Sequence, residues 1–353
     1  MDYQSTKDYI DHINNDYTRR IGLVADTHIG ARKFRLTDDG GTNRFAAATY
    51  WALNQLQTTA LAANLDTLII LGDVFDTANP HYMAVEKFRQ FLSTMTSNGV
   101  NVYCLYGNHD KESRKDCVNG PIETVYEACG IKNDWATLPP KWTVMNYAVD
   151  KAEYQKQKMF SGKVLLCHDE LSDTGMNEHI CGNYDFVYSG HIHGGGKQII
   201  NRFGPALCTT VTFVSSLIGG KYNCDPGKMY VVNEFGLAIE TVDLPSITWI
   251  DMDAASNSEL QTKLKTVTRE SVVRVNVYDD SESNDGNNTT IITKEEIAQM
   301  QATAATADNI YTFIVVEHTT NSGFMKRQIE FWDAVHSDHP SWTKELEKIL
   351  HNE

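Results

Sequence analysis

Apolar residues in the first 110 positions come in short, unbroken runs that each stop at polar residues. Ile21 to Ala25 stops at Asp26-Thr-His28, Leu68 to Leu71 at Gly72-Asp73, and Val102 to Tyr106 at Gly107-Asn108-His109-Asp110. Runs of this length without alternation read as strands buried on both faces. Helical periodicity fills the gaps. Residues 45–64 place Phe45, Ala48, Trp51, Ala52, Leu56 and Ala60 near one face, and a second helix is predicted from about His81 to Ser97. Strands alternating with helices in this way predict a parallel sheet.

The pattern then changes. Trp142–Val149, Lys163–Cys167, Phe186–Tyr188, Lys197–Phe203, Thr209–Phe213, Lys228–Val232 and Leu237–Val242 are strand candidates with few long helices between them. They predict a second, mixed sheet packed against the first. Pro245 marks a boundary. Beyond it, strands at Ser271–Tyr278 and Tyr311–Glu317, a helix from about Thr293 to Ala305 and a terminal helix from Trp342 to Leu350 predict a small α+β domain. The acidic, turn-rich stretch Asp279–Asn288 is a solvated loop. Residues 1–20 read as a polar extension with a short helix around Tyr9 to Tyr17. The expected division is therefore an extension (1–20), a large mixed α/β domain (21–243) and a C-terminal capping or partner-binding domain (244–353).

Charge narrows the partners. The formal net charge of −15 argues against a chain coated broadly for nucleic acid. Residues 244–353 carry 18 acidic and 9 basic side chains, against 28 and 22 in the preceding 243. Contacts to an anionic substrate are thus expected in the first part. No apolar run approaches the ~18 residues of a membrane span, and Met1–Asp8 lacks the pattern of a signal peptide. The seven cysteines form no Cys-x-x-Cys pair, and Cys104 and Cys167 sit inside apolar runs. Both features predict a reducing, cytoplasmic setting.

The polar residues at the ends of the apolar runs carry the chemistry. In order they are Asp26, His28, Asp73, Asn108, His168, His191 and His193, each set after an apolar run. Asp-x-His and His-x-His spacing puts both side chains on one side of an extended backbone. Carboxylate, amide and neutral imidazole donors suit manganese, iron or zinc better than calcium or magnesium, and a carboxylate between two cations can bridge them. One Asp-x-His alone is more often a turn or a surface pair, and Gly-Asn-His-Asp is a good turn tetrapeptide. Five strand ends carrying such residues in this order point instead to a centre for two metals.

These same residues carry a family likeness. Asp26-x-His28, Gly72-Asp73-x-x-Asp76, Gly107-Asn108-His109-Asp110, His168 and Gly190-His191-x-His193 resemble the signature of the calcineurin-like metallophosphoesterases. Cys167 stands where the family usually has a glycine. The resemblance implies a four-layer αββα sandwich with a dinuclear site between its two sheets. Asp26, His28 and His193 would hold one metal and Asn108, His168 and His191 the other, with Asp73 bridging. His109 would protonate the leaving alkoxide. Asp76 matches the acid that orients this histidine in the phosphatase branch.

The second motif guides the choice of substrate. Protein phosphatases carry Arg-Gly after this motif, where this chain has Thr77-Ala78. The segment from Gly72 to Phe88 instead resembles the SbcD-type double-strand-break repair nucleases, and most of all the compact subunits of T-even-like phages, which would place it in a host cytoplasm. Cellular members commonly have histidine at the position of Asp76, which leaves the balance of exonuclease and endonuclease action open. That likeness implies two divalent metals (manganese before magnesium, iron or zinc), DNA as substrate, a homodimer, and an SbcC-like ABC-type ATPase with a coiled coil as partner. DNA phosphates would meet Arg32, Lys33, Arg35 and Arg44 after the first motif and Lys111, Arg114 and Lys115 after the third. The terminal helix Ser341–Leu350 places Trp342, Leu346, Ile349 and Leu350 on roughly one face, which would dock on the ATPase or pack on its own domain. Two other readings compete: a phosphodiesterase or phosphatase acting on nucleotides or other small phosphoesters, and a catalytically silent scaffold for the ATPase.

Overall fold

The computed structural model describes residues 19–33, 37, 41–110, 120–147, 162–169, 183–193, 196–201, 208–214, 216–218, 227–254, 257–267, 271–279, 295 and 310–319. Strands β1 (Ile21–Val24), β2 (Thr67–Ile70) and β3 (Asn101–Cys104) lie side by side and parallel. Helix α1 (Arg44–Ala62) joins the first pair and α2 (Tyr82–Ser97) the second. Each helix starts on a polar cap: the Asn43 side chain accepts from the Ala46 amide, and His81 Nδ1 from the Met83 amide. A third helix, α3 (Pro121–Ala128), follows β3. Its Pro121 at the first position and the Glu123 carboxylate that accepts from the Gly120 amide are ordinary start signals.

Period two decides where each strand residue goes. Val24, Leu68, Ile70, Val102 and Cys104 face the helices, where they meet Leu53, Leu56 and Ala60 of α1, Phe88, Phe91 and Met95 of α2, and Val125 and Tyr126 of α3. Ile21, Leu23, Ala25, Ile69, Leu71, Tyr103 and Leu105 point to the opposite side and form the layer between two sheets.

The second sheet contains β4 (Trp142–Met145), β5 (Gly162–His168), β6 (Tyr184–Gly190), β7 (Gly196–Asn201) and β8 (Cys208–Phe213) in the order β4-β5-β6-β8-β7. Its strands are parallel except edge strand β7, which runs antiparallel to β8. Val164, Leu166 and Tyr188 meet the first sheet, while Leu165, Cys167, Val187, Val211 and Phe213 gather on the outer face. Helix, sheet and sheet are three of the four expected layers. The fourth would cover that outer face, where no helix falls among the described residues.

Strands β9 (Lys228–Val232) and β10 (Ala238–Asp243) correct one expectation. The sequence pattern puts them in the second sheet, but they complete the first, in the order β10-β9-β1-β2-β3. β9 runs antiparallel to β1 along the edge that β2 leaves open. Sequence order favours the neighbouring strands; the unpaired edge of a buried strand prevails, because its amides and carbonyls need partners.

The backbone divides into two compact units, one ending at Trp249 and including residues 270–272, the other holding 250–269 and the residues from 273 on. Described elements that fall wholly or mainly in the second unit are β11 (Thr248–Ala254), helix α4 (Asn257–Leu264), β12 (Ser271–Asp279) and β13 (Ile310–Thr319), with sheet order β11-β12-β13. β11 and α4 have no counterpart in the sequence reading. Of the helix expected from Thr293 to Ala305, only Glu295 is described, and it is helical. The expected helices at 9–17 and 342–350 and most of the loop after Asp279 lie outside the described residues.

Candidate metal centre

The register of both sheets brings the polar ends of the apolar runs to a common edge. Val24, Ile70 and Cys104 stand level across the first sheet, so Asp26, Asp73 and Asn108 follow within two to four residues. In the second sheet His168 pairs with Gly190, and His191 and His193 come next. This is the carboxyl edge of parallel strands, where α/β folds commonly place ligands. The two edges are tied together: His168 Nδ1 lies 2.7 Å from the Leu71 carbonyl, and the His191 amide donates to both Asp26 carboxylate oxygens at 3.2 and 3.1 Å.

Four of these residues hold left-handed backbone without being glycine: Asp26 (φ 51°), His28 (φ 40°), Asp73 (φ 49°) and His191 (φ 76°). Such angles cost about 1–2 kcal/mol each for residues with a Cβ and gather at functional sites. Cross-strand bonds hold them in place. The Asp26 and His28 amides donate to the Gly72 and Asp73 carbonyls at 3.2 and 2.9 Å, and Ser216 Oγ donates to the Asp26 carbonyl at 2.8 Å. Gly107 supplies the room. A Cβ there would strike the Asp73 carboxylate, and one at Gly72 would strike the His168 ring.

Asp73 sits at the middle. Its Oδ2 lies 3.4 Å from His168 Nε2 and 3.6 Å from His28 Nε2, while its Oδ1 accepts from the His109 amide at 2.9 Å. On one side, His193 Nε2 lies 3.7 Å from Asp26 Oδ1 and 3.1 Å from His28 Nε2. On the other, Asn108 Oδ1 lies 3.1 Å from His168 Nε2 and 3.2 Å from His191 Nδ1. Donor atoms around a cation with bonds of ~2.1 Å stand about 3–3.5 Å apart. In Asp26–His28–His193 and in Asp26–Asp73–His168 the donor atoms lie within 4.8 Å of one another, a spacing that a bound cation would draw in, and the same holds for a third group, His28–Asp76–His109. Tyr147 covers the second side, its ring stacked toward His191 and edge-on to His168.

Charges in this enclosed place shift strongly. Burial raises the Asp26 carboxyl to about 8; the Asp73 charge adds to this and that of His168 opposes it. Burial would raise Asp73 as well, but the His168 charge and hydrogen bond, with His28 and His109, hold it far below the usual carboxylate range. His168 itself is pushed up to about 10, since Asp73 outweighs the burial that disfavours its charge. Burial lowers His28 against the pull of Asp76 and Asp73. Enclosure, together with His28 and Lys33, keeps His193 well below its ordinary value. His28 and His193 are thus held neutral, with lone pairs available to a cation.

A family model for calcineurin-like phosphoesterases matches residues 19–195, a span that contains every residue of this cluster. The chain belongs to the calcineurin-like phosphoesterase family. A family of this kind works with a dinuclear metal site, and the chain holds candidate ligand groups for one. Among curated relatives, the DNA double-strand break repair protein Mre11 of Thermoplasma acidophilum is 30% identical over 218 residues, covering 52% of this chain and 53% of its own. The protein of the same name from Methanocaldococcus jannaschii is 21% identical over 71% of this chain and 72% of its own. The SbcD component of the SbcCD nuclease of Bacillus subtilis is 31% identical over 27% of this chain and 23% of its own. The matched stretch spans about half the length of the first of these relatives.

All nine residues singled out for this phosphoesterase site, Asp26, His28, Asp73, Asp76, Asn108, His109, His168, His191 and His193, converge in the structure. One detail departs from expectation. His109 Nδ1 lies 2.8 Å from the carbonyl oxygen of Asp76, whereas the Asp76 carboxylate turns to His28. Of the basic residues, Arg32, Lys33 and Arg44 are described, and Lys33 is close enough to depress His193. Arg35, Lys111, Arg114 and Lys115 lie outside the described residues. The sequence reading gives no role to Asp110. Its buried carboxylate accepts from the Val74, Phe75 and Gly107 amides at 3.2, 2.9 and 3.0 Å, locking the loop after β2 to the loop after β3. Its place in Gly-Asn-His-Asp is the available signal. Ser216 and Tyr147 carry none, since neither lies in a motif.

Proposed function

We propose that this chain is a DNA nuclease, the catalytic subunit of an SbcCD-like repair and recombination complex. The observation that carries it is the convergence of carboxylate, amide and imidazole groups from five strand ends around Asp73, together with the likeness to proteins named as double-strand-break repair proteins and nucleases. Asp26, His28 and His193 would hold one metal and Asn108, His168 and His191 the second, with Asp73 shared. The mixed oxygen and imidazole donor set fits manganese, with iron, zinc and magnesium as alternatives. When bound, the metals supply Lewis acidity to the phosphoryl oxygens and make water a competent nucleophile near neutral pH.

The chain's own residues do the rest. His109 Nδ1 faces the Asp76 carbonyl, which accepts its proton and leaves Nε2 to hand a proton to the departing 3′ or 5′ oxygen. Lys33, Arg32 and Arg44 would meet the phosphate backbone. Tyr82, 70% exposed at the start of α2 with its ring beside His81, offers a face on which an unpaired base could stack. We assign residues 21–243 to catalysis and 244–353 to a coiled-coil ATPase partner, and we take the working form as a homodimer in the cytoplasm, that of a host cell if phage-encoded.

Linear duplex DNA incubated with Mn2+, with and without the cognate ATPase, tests the reading. Cleavage that falls by at least about a hundredfold in His109→Ala, with Mn2+ content unchanged, is the expected result. No cleavage under either condition, alongside rapid turnover of a nucleotide diester, would transfer the chain to small-molecule phosphoesters. Undiminished cleavage by His109→Ala would remove that residue as the acid.

A further inference from the structure

Asp76 meets two histidines and treats them differently. Its carbonyl oxygen lies 2.8 Å from His109 Nδ1. Its carboxylate Oδ1 lies 3.3 Å from His28 Nδ1. The His28 ring is nearly sealed from solvent, with 2% of its side chain exposed, and its Nδ1 has no aligned hydrogen-bond partner among the described residues. Its other nitrogen, Nε2, faces Asp73 and His193 at 3.6 and 3.1 Å, toward the interior of the centre.

Tautomer chemistry links the two ends of that ring. A neutral imidazole that presents the Nε2 lone pair to a cation carries its proton on Nδ1. A buried N–H needs an acceptor, and the carboxylate is within about 0.4 Å of ordinary hydrogen-bond length. Metal-bound histidines characteristically donate their remote N–H to a carboxylate or carbonyl, which fixes the ring and strengthens it as a ligand. His109 makes no claim on this carboxylate. Its Nδ1 is already engaged by main chain, and its ring meets His28 edge-on at 4.8 Å.

We propose that Asp76 is the positioning residue for His28. Its carboxylate holds the Nδ1–H tautomer and so strengthens the Asp26–His28–His193 cation site, while its main chain alone holds His109. The inference rests on the metal-centre reading above. It predicts that changing the side chain at position 76 alters metal affinity and spares the leaving-group acid. The opposite follows if the carboxylate serves His109.

The test is a calorimetric titration of Mn2+ alone into the full chain, comparing wild type, Asp76→Ala and Asp76→Asn. Two sites are expected in the wild type. Asp76→Ala should weaken one of them by about 10–100-fold and leave the other in place. Asp76→Asn, nearly isosteric and still offering an oxygen to Nδ1–H, should weaken that site by less, and it serves if the alanine variant fails to fold. At saturating Mn2+, all three should share the same alkaline limb in the pH profile for hydrolysis of a chromogenic phosphodiester. Equal Mn2+ affinity in wild type and both variants overturns the proposal, and so does an alkaline limb that moves with residue 76. A wild-type chain that binds no Mn2+ overturns the metal centre itself, a separate result from either.

Discussion

Without metal, Asp73 and His168 share a buried ion pair, and Asp26 beside them keeps its own proton to about pH 8. A cation entering this place must displace the protons on Asp26 and His168, because both groups bind metal only when deprotonated. The sign follows directly. Binding releases protons, so affinity rises with pH, first through the Asp26 range near 8 and then toward the His168 value of about 10. Mn2+ titrations at pH 7 in two buffers of different ionisation enthalpy should register the release of about one to two protons per chain. Enthalpies that do not depend on the buffer would contradict this arrangement. None of it could be read from the residue names, since the same Asp and His spread over a surface would keep ordinary values.

At the level of elements, the centre depends on loops held at a fixed height above the first sheet. Asp110 does much of this, bridging the amides of Val74, Phe75 and Gly107 from a fully enclosed position. Burial first, and then the Asp73 charge, push its carboxyl up to about 6. Asp110→Ala strands three buried donors at about 1–3 kcal/mol each, while relieving some repulsion on Asp73. A loss of about 3 kcal/mol in unfolding free energy is expected from urea titration in EDTA; a loss below about 1 kcal/mol would show that the loops hold themselves. The central strands and both long helices were legible because each apolar run ends in a ligand-type residue and each helix has an unbroken stripe. The pairing of β9 with β1 was not, because an open strand edge exists only in three dimensions. Helix α3 carries its signal only in Pro121 and Glu123, because its eight residues are too few for a periodic stripe to mark it. Which way the Asp76 carboxylate turns is a rotamer choice made by its neighbours, and no spacing rule encodes it.

For the whole molecule, the centre is as much a load on the fold as a product of it. Asp26, His28, Asp73 and His191 are each held at a backbone angle that glycine would adopt freely. His191→Gly removes one such angle, and the relief of about 1–2 kcal/mol is set against the roughly 1 kcal/mol entropy cost of glycine. The expected outcome in EDTA is an unfolding free energy between that of wild type and about 1 kcal/mol above it, with a smaller gain in Tm on adding Mn2+. A drop of about 2 kcal/mol or more, typical of a packed side chain cut away, would mean that the ring and not the backbone dominates there.

Those left-handed angles have a bearing on how the chain decays under mutation. Most damage to an enzyme lowers its abundance, because a weakened fold is cleared by proteolysis. Here, a change to glycine that erases a ligand at a strained position such as His191 would also relieve the backbone, so the chain is expected to fold about as well as before. Inactive copies would accumulate at full dosage, compete with active ones for any shared partner, and act as dominant inhibitors instead of disappearing.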